Sequence, residues 1–314
     1  MVFQDLPTGI WPVMLTPFNE DLSIDWQAYQ ALLDYYMEHN PAGLFATCGS
    51  SEICALTEDE IVKLASLAIK RAAGRIPVVA SAICFDTMDK QIRLAKRLAD
   101  TGVDSVVVSS NQFVDREASD QNLMDALMRF ANVMSSTPLG VYEYPKPHKR
   151  LLTAPMLGEI AKTGQFVFFK DTCCDLPLLQ ARAKATKGTR LRIYNADVMT
   201  LCDSLDAGYH GFCGTATNFF FEPFIWMCSD SRHDLVKRKQ VESFLPEFLA
   251  VLRKAYPMSA KLFLKLTGMD IKLYCRDWDK HLSPPEESDL DALMQRYTQL
   301  KQKLMQLTDV PQLS

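Results

Sequence analysis

The chain has 314 residues, of which 48% are hydrophobic and 23% charged, and its formal net charge is −4. This composition is ordinary for a globular protein with a sizeable core, and the interspersed acids and bases give no indication that nucleic acid or an anionic membrane is a partner. The N-terminal residues lack the basic and apolar regions of a signal peptide, and no apolar run reaches the length of a bilayer span, so we expect a soluble, cytoplasmic protein.

Eight short β-branched or aromatic runs predict strands, at residues 13–17, 43–47, 76–82, 105–109, 139–144, 166–169, 191–194 and 211–215. Seven stretches between them have helical periodicity, at residues 26–39, 59–73, 88–100, 121–135, 155–163, 177–186 and 199–207. Thr57, with Glu60 three residues later, predicts a capping box at the start of the second helix. Strict alternation predicts a parallel sheet, and eight repeats favour an α/β fold closed into a (β/α)8 TIM barrel. The alternative is an open doubly wound sheet, but no glycine-rich phosphate loop follows the first strand.

The alternation is predicted to stop at about Phe221. Residues 233–255 and 285–307 have the patterns of long helices, and residues 259–267 predict a shorter helix between them. Because no flexible linker separates these segments, we predict a barrel over residues 1–225 that carries the active site. A three-helix extension over residues 226–314 is expected to pack on it.

The nine cysteines and five histidines form neither a disulfide framework nor a metal-ligand pattern. Most of the cysteines, such as Cys48 and Cys213, lie within or beside apolar runs, which is typical of reduced thiols in an intracellular protein. The histidines are scattered without the spacing of a zinc site. We therefore predict no metal.

Lys170 is the most informative single residue. It ends the apolar strand at residues 166–169 and precedes Asp171. Burial there disfavours the charged ammonium form, and a neutral amine can attack a ketone to form a Schiff base. The alternative for Lys170 alone is a lysine that caps the strand and reaches solvent.

Enzymes on this fold place their chemistry at the carboxyl ends of the strands. The turn at residues 48–52, called here the strand-2 turn, offers hydroxyls and backbone amides that suit a carboxylate, although its serines could also merely shape the turn. Strand 5 ends in Tyr142 and Tyr144, which share a parity, so either could face the barrel. The small residues that end strands 7 and 8 leave room for a ligand over Lys170; they include Ala196, Cys213 and Gly214.

Several motifs, in this order, are similar to one known family. They are Leu15-Thr16-Pro17-Phe18, Gly49-Ser50-Ser51-Glu52 with Leu56-Thr57 and Glu60, Tyr142 with Pro145, Lys170, and the run from Gly211 to Asn218. On these residues the chain resembles the N-acetylneuraminate lyase and dihydrodipicolinate synthase superfamily, which are pyruvate-dependent class I aldolases and lyases on a (β/α)8 barrel. The resemblance covers nearly the whole chain.

The resemblance implies that Lys170 forms the Schiff base, that Tyr142 moves the proton, and that Ser50 and Ser51 help to hold the pyruvate carboxylate. The other substrate-binding residues that we assign are Thr16, Gly49, Ala196, Cys213 and Gly214. No cofactor is needed besides the covalent lysine adduct. The implied partners are pyruvate and an aldehyde, with no nucleic acid and no membrane, and the implied assembly is a homotetramer or homodimer.

The strand-2 turn departs from the pattern of the family, which has Gly-Thr-Thr-Gly-Glu or Gly-Ser-Thr-Gly-Glu. Keeping Glu52 in register puts Gly49 where the first hydroxyl stands and Ser51 where the second glycine stands. The synthases of lysine biosynthesis also have an arginine on the strand-5 loop and a relay tyrosine from a neighbouring subunit. This chain has no such arginine, and Asn111 and Gln112 stand near the tyrosine position. Lysine biosynthesis is therefore not expected.

The strand-5 loop carries four basic residues, namely Lys146, His148, Lys149 and Arg150. Our hypothesis is that residues of this region, with Glu143, His148 and Lys149 as candidates, contact a distal carboxylate or the hydroxyls of a sugar-acid-like acceptor. The alternative is a solvated basic loop.

These observations predict a Schiff-base aldolase or lyase that makes or cleaves a carbon–carbon bond between pyruvate and an aldehyde, on a 2-oxo-3-deoxy sugar acid or a similar compound. One alternative is a dehydratase that uses the same lysine to expel water. Another is a barrel that binds an oxo acid as a sensor without turnover, which the altered strand-2 turn and the missing relay tyrosine keep open.

Overall fold

The structure, a computed structural model, describes residues 5–277 and 286–305. These residues contain one sheet of eight parallel strands: β1 (Gly9–Ile10), β2 (Leu44–Phe45), β3 (Val78–Ser81), β4 (Ser105–Ser109), β5 (Leu139–Tyr142), β6 (Phe166–Asp171), β7 (Arg192–Asn195) and β8 (Gly211–Phe212). The strands pair in the order β1-β8-β7-β6-β5-β4-β3-β2. A parallel bridge between Val13 and Phe45 joins the chain after β1 to β2, so the sheet closes into the predicted barrel.

One helix follows each strand. These helices are α1 (Trp26–Glu38), α2 (Glu58–Ala72), α3 (Met88–Ala99), α4 (Asp120–Val133), α5 (Ala154–Lys162), α6 (Leu176–Thr186), α7 (Leu201–Ala207) and α8 (Glu222–Cys228). Short polar side chains begin several of them. At α2 the Thr57 hydroxyl accepts the Glu60 amide at 3.2 Å, and the Glu60 carboxylate accepts the Thr57 amide at 2.9 Å. The predicted capping box is therefore confirmed.

The first strand lies earlier than the sequence predicted. Gly9 pairs with Gly211 of β8, whereas the prediction began at residue 13. A Cβ atom on Gly211 would lie 1.8 Å from the Gly9 carbonyl oxygen, so this close approach requires glycine. Beyond Trp11 the ladder with β8 ends, because the Val13 amide donates to the Thr217 hydroxyl at 3.3 Å and not to the backbone of β8. The apolar run that suggested the strand is its continuation toward the barrel mouth.

The alternation continues past Phe221, where it was predicted to stop. Helix α8 contacts β1 and β8 and completes the eighth repeat, so the end of the alternation moves to Cys228. Among the described residues, three further α-helices follow, namely α9 (Leu235–Leu252), α10 (Met258–Leu266) and α11 (Glu287–Met305). The predicted third tail helix, at residues 285–307, extends outside the described residues at both ends. The division into a barrel and a separate extension stays a prediction, and its boundary at residue 225 falls inside α8.

Four fully buried aromatic side chains fill the barrel interior: Trp11, Phe45, Phe168 and Tyr194. The Phe168 ring centroid lies 5.3 Å from that of Trp11, 5.5 Å from that of Phe45 and 5.0 Å from that of Tyr194. Such edge-on and tilted contacts stabilise an aromatic cluster beyond its burial alone. This cluster forms a packed floor on which the residues at the strand ends rest. No helix in the described part of the chain is long and apolar enough to cross a membrane.

Candidate active site

Lys170 and Tyr142 lie side by side just above the aromatic floor. They are register partners on β6 and β5, and the two residues are 3% and 5% exposed. The Lys170 Nζ atom lies 4.3 Å from the ring centroid of Tyr142 and 5.5 Å from that of Phe45. Among the described residues, no carboxylate forms an ion pair with this amine. The amine therefore faces two aromatic rings in the lumen, without an ionic partner.

The structure also shows which of the two tyrosines at the end of β5 faces the barrel, which strand alternation alone did not decide. Tyr142 contacts Lys170, and burial raises the pKa of its phenol well above the usual value, which keeps it protonated. The Tyr144 hydroxyl instead lies 3.5 Å from the Cys54 sulfur, and its ring stacks near Phe85. Of the two tyrosines, Tyr142 is thus the one whose ring lies beside the Lys170 amine.

Gly49 fits against both tyrosines. A Cβ atom at this position would lie 2.9 Å from Cε2 of Tyr144 and 3.2 Å from the Tyr142 hydroxyl oxygen. The ring of Tyr144 thus occupies space that a larger side chain at position 49 would need. The backbone of the strand-2 turn consequently comes directly beside the Tyr142 phenol.

Two of the hydroxyls near the strand-2 turn, those of Ser51 and Thr16, are hydrogen-bonded to the backbone. Ser51 donates to the Met14 carbonyl at 2.6 Å and accepts the Cys48 amide at 3.1 Å. Thr16 donates to the Ser51 carbonyl at 2.9 Å. Both side chains are fully buried, and these bonds fix the turn to the chain that follows β1. Of the two predicted carboxylate donors, Ser51 has its hydroxyl engaged by the backbone, so Ser50 is the better candidate.

Glu52 closes the same turn in a left-handed conformation, with φ of 59°. Its buried carboxylate accepts Lys261 Nζ at 2.9 Å, the Arg276 amide at 2.6 Å and the Asp277 amide at 2.8 Å. These three donors come from α10 and from the chain that follows it. The turn is thereby held from the C-terminal side as well as from β1.

The ends of β7 and β8 approach closely at the predicted small residues. A Cβ atom on Gly214 would lie 2.5 Å from the Ala196 carbonyl oxygen and 2.4 Å from Phe212 Cζ, so position 214 requires glycine. Cys213 is fully buried beside Lys170, and burial raises the pKa of its thiol to about 12, although Lys170 acts in the opposite direction. The Cys213 thiol is therefore neutral beside Lys170.

The cations of the strand-5 loop are engaged with other parts of the chain. Lys146 bonds to Asp277 at 2.6 Å, Arg150 to Asp120 at 2.7 Å, and Lys149 to the Thr172 carbonyl. Asn111, which stands near the relay-tyrosine position, donates to the carbonyls of Tyr144 at 3.0 Å and Lys146 at 2.9 Å, and to that of His148. This loop is consequently shaped by fixed polar contacts, and Lys149 and His148 remain candidates for acceptor binding.

The expectation that Glu143 contacts the acceptor is wrong. Its fully buried carboxylate forms ion pairs with Arg182 and accepts the Leu152 amide at 2.8 Å. Side chains alternate along a strand, so the residue after an inward-facing Tyr142 faces the helices. Arg182 also pairs with Asp171 at 2.6 Å, which ties the ends of β5 and β6 together behind the catalytic candidates.

The sequence analysis missed Tyr256, which lies between α9 and α10. Its hydroxyl donates to Ser50 Oγ at 2.7 Å and accepts from the Asn218 amide at 2.7 Å. Asn218 belongs to the strand-8 motif, but no local pattern in the sequence marks Tyr256. Its partner Ser50 lies 206 positions away along the chain.

The described geometry can be compared with known proteins. The family model described as the dihydrodipicolinate synthetase family matches residues 6–297. The N-acetylneuraminate lyase of Rhizobium meliloti is 28% identical over 289 residues, which cover 91% of this chain and 92% of that protein. The probable 5-dehydro-4-deoxyglucarate dehydratase of Ralstonia nicotianae is 30% identical over 176 residues, or 56% of this chain. The chain thus spans about half of that dehydratase, 54% of its length.

Solved structures with the same fold extend over almost the entire chain. YagE, a prophage protein of the dihydrodipicolinic acid synthase family from E. coli K12, solved in complex with pyruvate, has a TM-score of 0.80 at 22% identity. The superposition covers 94% of this chain and 98% of YagE. The dihydrodipicolinate synthase of Thermotoga maritima also has a TM-score of 0.80, at 20% identity, covering 94% of this chain and 99% of the synthase. The family match over residues 6–297 and the barrel together show that this chain belongs to the dihydrodipicolinate synthetase family.

Proposed function

We propose that this chain is a class I lyase or aldolase in which Lys170 forms a Schiff base with pyruvate or another 2-oxo acid. Its reaction would make or cleave a carbon–carbon bond of a 2-oxo-3-deoxy sugar acid or a similar compound. The observation that carries the proposal is the buried Lys170 amine, 4.3 Å from the ring of Tyr142 and directly above the aromatic floor. The similarity to an N-acetylneuraminate lyase over 91% of this chain supports the same class of reaction.

The proposed chemistry follows from these two side chains. The Lys170 amine adds to the ketone carbon, and loss of the ketone oxygen as water leaves an iminium. The iminium accepts the electron pair when the carbon–carbon bond breaks, which gives an enamine and releases an aldehyde. In synthesis the protonated Tyr142 phenol would give its proton to the aldehyde oxygen as the new bond forms. In cleavage the phenol would take the proton of the hydroxyl that becomes the aldehyde while it passes its own proton to bound water, and protonation and hydrolysis of the enamine would then free pyruvate and Lys170. Because the iminium is itself the electron sink, we propose no cofactor.

The strand-2 turn is the proposed carboxylate site. The residues Gly49–Ser51 form one 3-10 turn, so the backbone amides at its start have no acceptor within that turn. Ser50 adds a hydroxyl at the same place and is 4% exposed. Held there, a 2-oxo acid would present its ketone to Lys170 in one orientation, which favours reaction by proximity.

A dehydratase is the second candidate, and the similarity to the Ralstonia protein favours it. It would use the same iminium to make an adjacent proton acidic and then expel water instead of an aldehyde. The substrate named for that relative is a sugar acid with a second carboxylate, and Lys149 and His148 are the proposed contacts for such a distal group. Release of pyruvate distinguishes the lyase from the dehydratase.

We also propose a homotetramer or homodimer in the cytoplasm. Family membership supports the assembly, which light scattering coupled to size exclusion would measure. All nine cysteines are free thiols, as expected in a reducing compartment.

The decisive experiment is intact-mass spectrometry after incubation with pyruvate and borohydride, which reduces a Schiff base to a stable amine. We expect one reduced pyruvate per chain, mapped to Lys170, and no adduct in Lys170→Ala. Lys149→Ala is the matched control, because it removes a lysine from the loop at the mouth but not from the lumen, and it should retain the adduct. An adduct with longer 2-oxo acids but not with pyruvate would favour the dehydratase. If no 2-oxo acid gives an adduct, the Schiff-base proposal is wrong, and a barrel that binds an oxo acid as a sensor is the interpretation that remains.

A further inference from the structure

Tyr256 connects the C-terminal part of the chain to the strand-2 turn. It lies between α9 and α10, is partly buried, and donates its hydroxyl to Ser50 Oγ at 2.7 Å. Ser50 follows Gly49, at which a Cβ atom would lie 3.2 Å from the Tyr142 hydroxyl oxygen. Tyr256 therefore bonds directly to the hydroxyl of the residue that follows Gly49 in the strand-2 turn.

The direction of the hydrogen bonds is fixed by Asn218. Its side-chain nitrogen lies 2.9 Å from the Val13 carbonyl oxygen, which can only accept, so the amide orientation is determined. The same nitrogen then donates to the Tyr256 oxygen at 2.7 Å, while its carbonyl oxygen accepts the Tyr36 hydroxyl. Because Tyr256 accepts from Asn218, its own hydrogen is directed to Ser50.

This direction decides what Ser50 can do. Its oxygen accepts the hydrogen bond from Tyr256, and no acceptor among the described residues takes its own hydrogen. Burial raises the pKa of Tyr256 above its usual value, which keeps the phenol in the protonated, donating form. A hydroxyl that accepts one hydrogen bond is polarised toward donating the next, so the buried chain strengthens Ser50 as a donor.

We propose that Tyr256 is a positioning residue that orients the Ser50 hydroxyl as a hydrogen-bond donor to the carboxylate of the 2-oxo acid. The inference rests on the proposed Schiff-base function and adds to it a specificity element from outside the eight strand ends. It gives the C-terminal chain a part in selecting 2-oxo acids over ketones without a carboxylate. Tyr256 itself touches no reacting atom.

The test measures borohydride trapping as a function of pyruvate concentration in wild type, Tyr256→Phe, Ser50→Ala and the double variant. We expect the half-saturating pyruvate concentration to rise about tenfold in each single variant, the effect of losing one hydrogen bond to a charged group. The double variant should be no worse than Ser50→Ala, because Tyr256 acts only through Ser50. Trapping of acetone, a ketone without a carboxylate, should be unchanged in Tyr256→Phe.

Tyr297→Phe is the matched control for loss of a buried phenol from the C-terminal part of the chain. Its hydroxyl donates to the Glu222 carboxylate of α8 and not to the strand-2 turn, so pyruvate saturation should stay at the wild-type value. Equal losses for pyruvate and acetone in Tyr256→Phe would show a merely structural role and overturn the inference. A half-saturating concentration within about twofold of wild type in Tyr256→Phe would overturn it as well. If the wild type traps no 2-oxo acid, the proposed function fails first and the inference fails with it.

Discussion

Tyr142 has no side-chain hydroxyl partner at position 49, because a glycine stands there beside its phenol. The close contact of Gly49 with Tyr144 explains this choice, since a Cβ atom would approach the Tyr144 ring to 2.9 Å. Burial keeps the Tyr142 phenol protonated, so its proton must be exchanged with the bound molecule or with water that enters with it. In the proposed reaction Tyr142 would therefore act without a relay of hydroxyls from the described residues, none of which hydrogen-bonds to its phenol.

Tyr142→Phe should separate proton transfer from Schiff-base formation. We expect turnover of the sugar acid to fall by about 10²–10⁴-fold, the usual contribution of a positioned acid or base. The pyruvate adduct at Lys170 should still form on long incubation, because the amine and the strand-2 turn are unchanged. Steady-state kinetics and borohydride trapping measure the two effects separately. Tyr144→Phe is the control, and an equal fall in its turnover would contradict the assignment of the acid to Tyr142.

The sequence predicts the location of a residue well where that location follows from its position on a strand, and poorly where it depends on contacts between distant parts of the chain. The order of motifs and the strand ends suffice to place Lys170 and Tyr142 together. Alternation along β5 would also have assigned Glu143 to the helix side, where it pairs with Arg182. Tyr256 could not be predicted, because its contact with Ser50 depends on how the helices after the barrel fold back.

At the scale of elements, the strand-2 turn is held between two distant parts of the chain. Thr16 and Met14, after β1, bond it from one side. Lys261 of α10 and the chain that follows bond to Glu52 from the other. The sequence predicts helices and strands where their hydrophobic periodicity is local. The prediction misplaced β1, because the pairing of Gly9 with Gly211 depends on close backbone approach and not on hydrophobicity.

Glu52→Gln should destabilise the protein, because it leaves the buried Lys261 ammonium without its carboxylate. The side chains of Glu52 and Lys261 are 1% and 0% exposed. Removal of one partner of such a buried pair costs about 3–5 kcal/mol of unfolding free energy, which urea denaturation would measure. Asp289→Asn is the control, since its pair with Lys254 is 37% and 50% exposed and should contribute little to the unfolding free energy. Similar small losses in both variants would argue against Glu52 as the anchor of the turn.

At the scale of the whole molecule, the chain after α10 is tied to three parts of the barrel. Lys272 pairs with Asp25 at 2.9 Å, Arg276 with Glu60 at 2.7 Å, and Asp277 with Lys146 at 2.6 Å. These ties reach the start of α1, the start of α2 and the strand-5 loop. The alternating pattern predicts the barrel, whereas these attachments depend on charged residues more than 100 positions apart and have no signature in the sequence.

The Arg276–Glu60 pair should make the stability of the whole chain sensitive to acid. The hydrogen bonds from Arg276 lower the pKa of Glu60 from 4.5 to about 2 in the folded protein. As the pH falls, the unfolded chain takes up this proton first. The stabilisation is therefore fully present above about pH 4.5 and is lost as the pH falls toward about 2.

Urea denaturation at about pH 6 and about pH 3 would measure this loss. We expect the unfolding free energy of the wild type to fall by about 1 kcal/mol more than that of Glu60→Gln, which has no proton to gain at this position. His210 also favours acid unfolding, because burial lowers its pKa to about 4, but it does so equally in both proteins, so their difference isolates Glu60. Arg276→Met should also reduce the acid sensitivity, but less than Glu60→Gln, because Thr57 still donates to the Glu60 carboxylate. Equal acid losses in wild type and both variants would mean that this pair does not hold the C-terminal chain on the barrel.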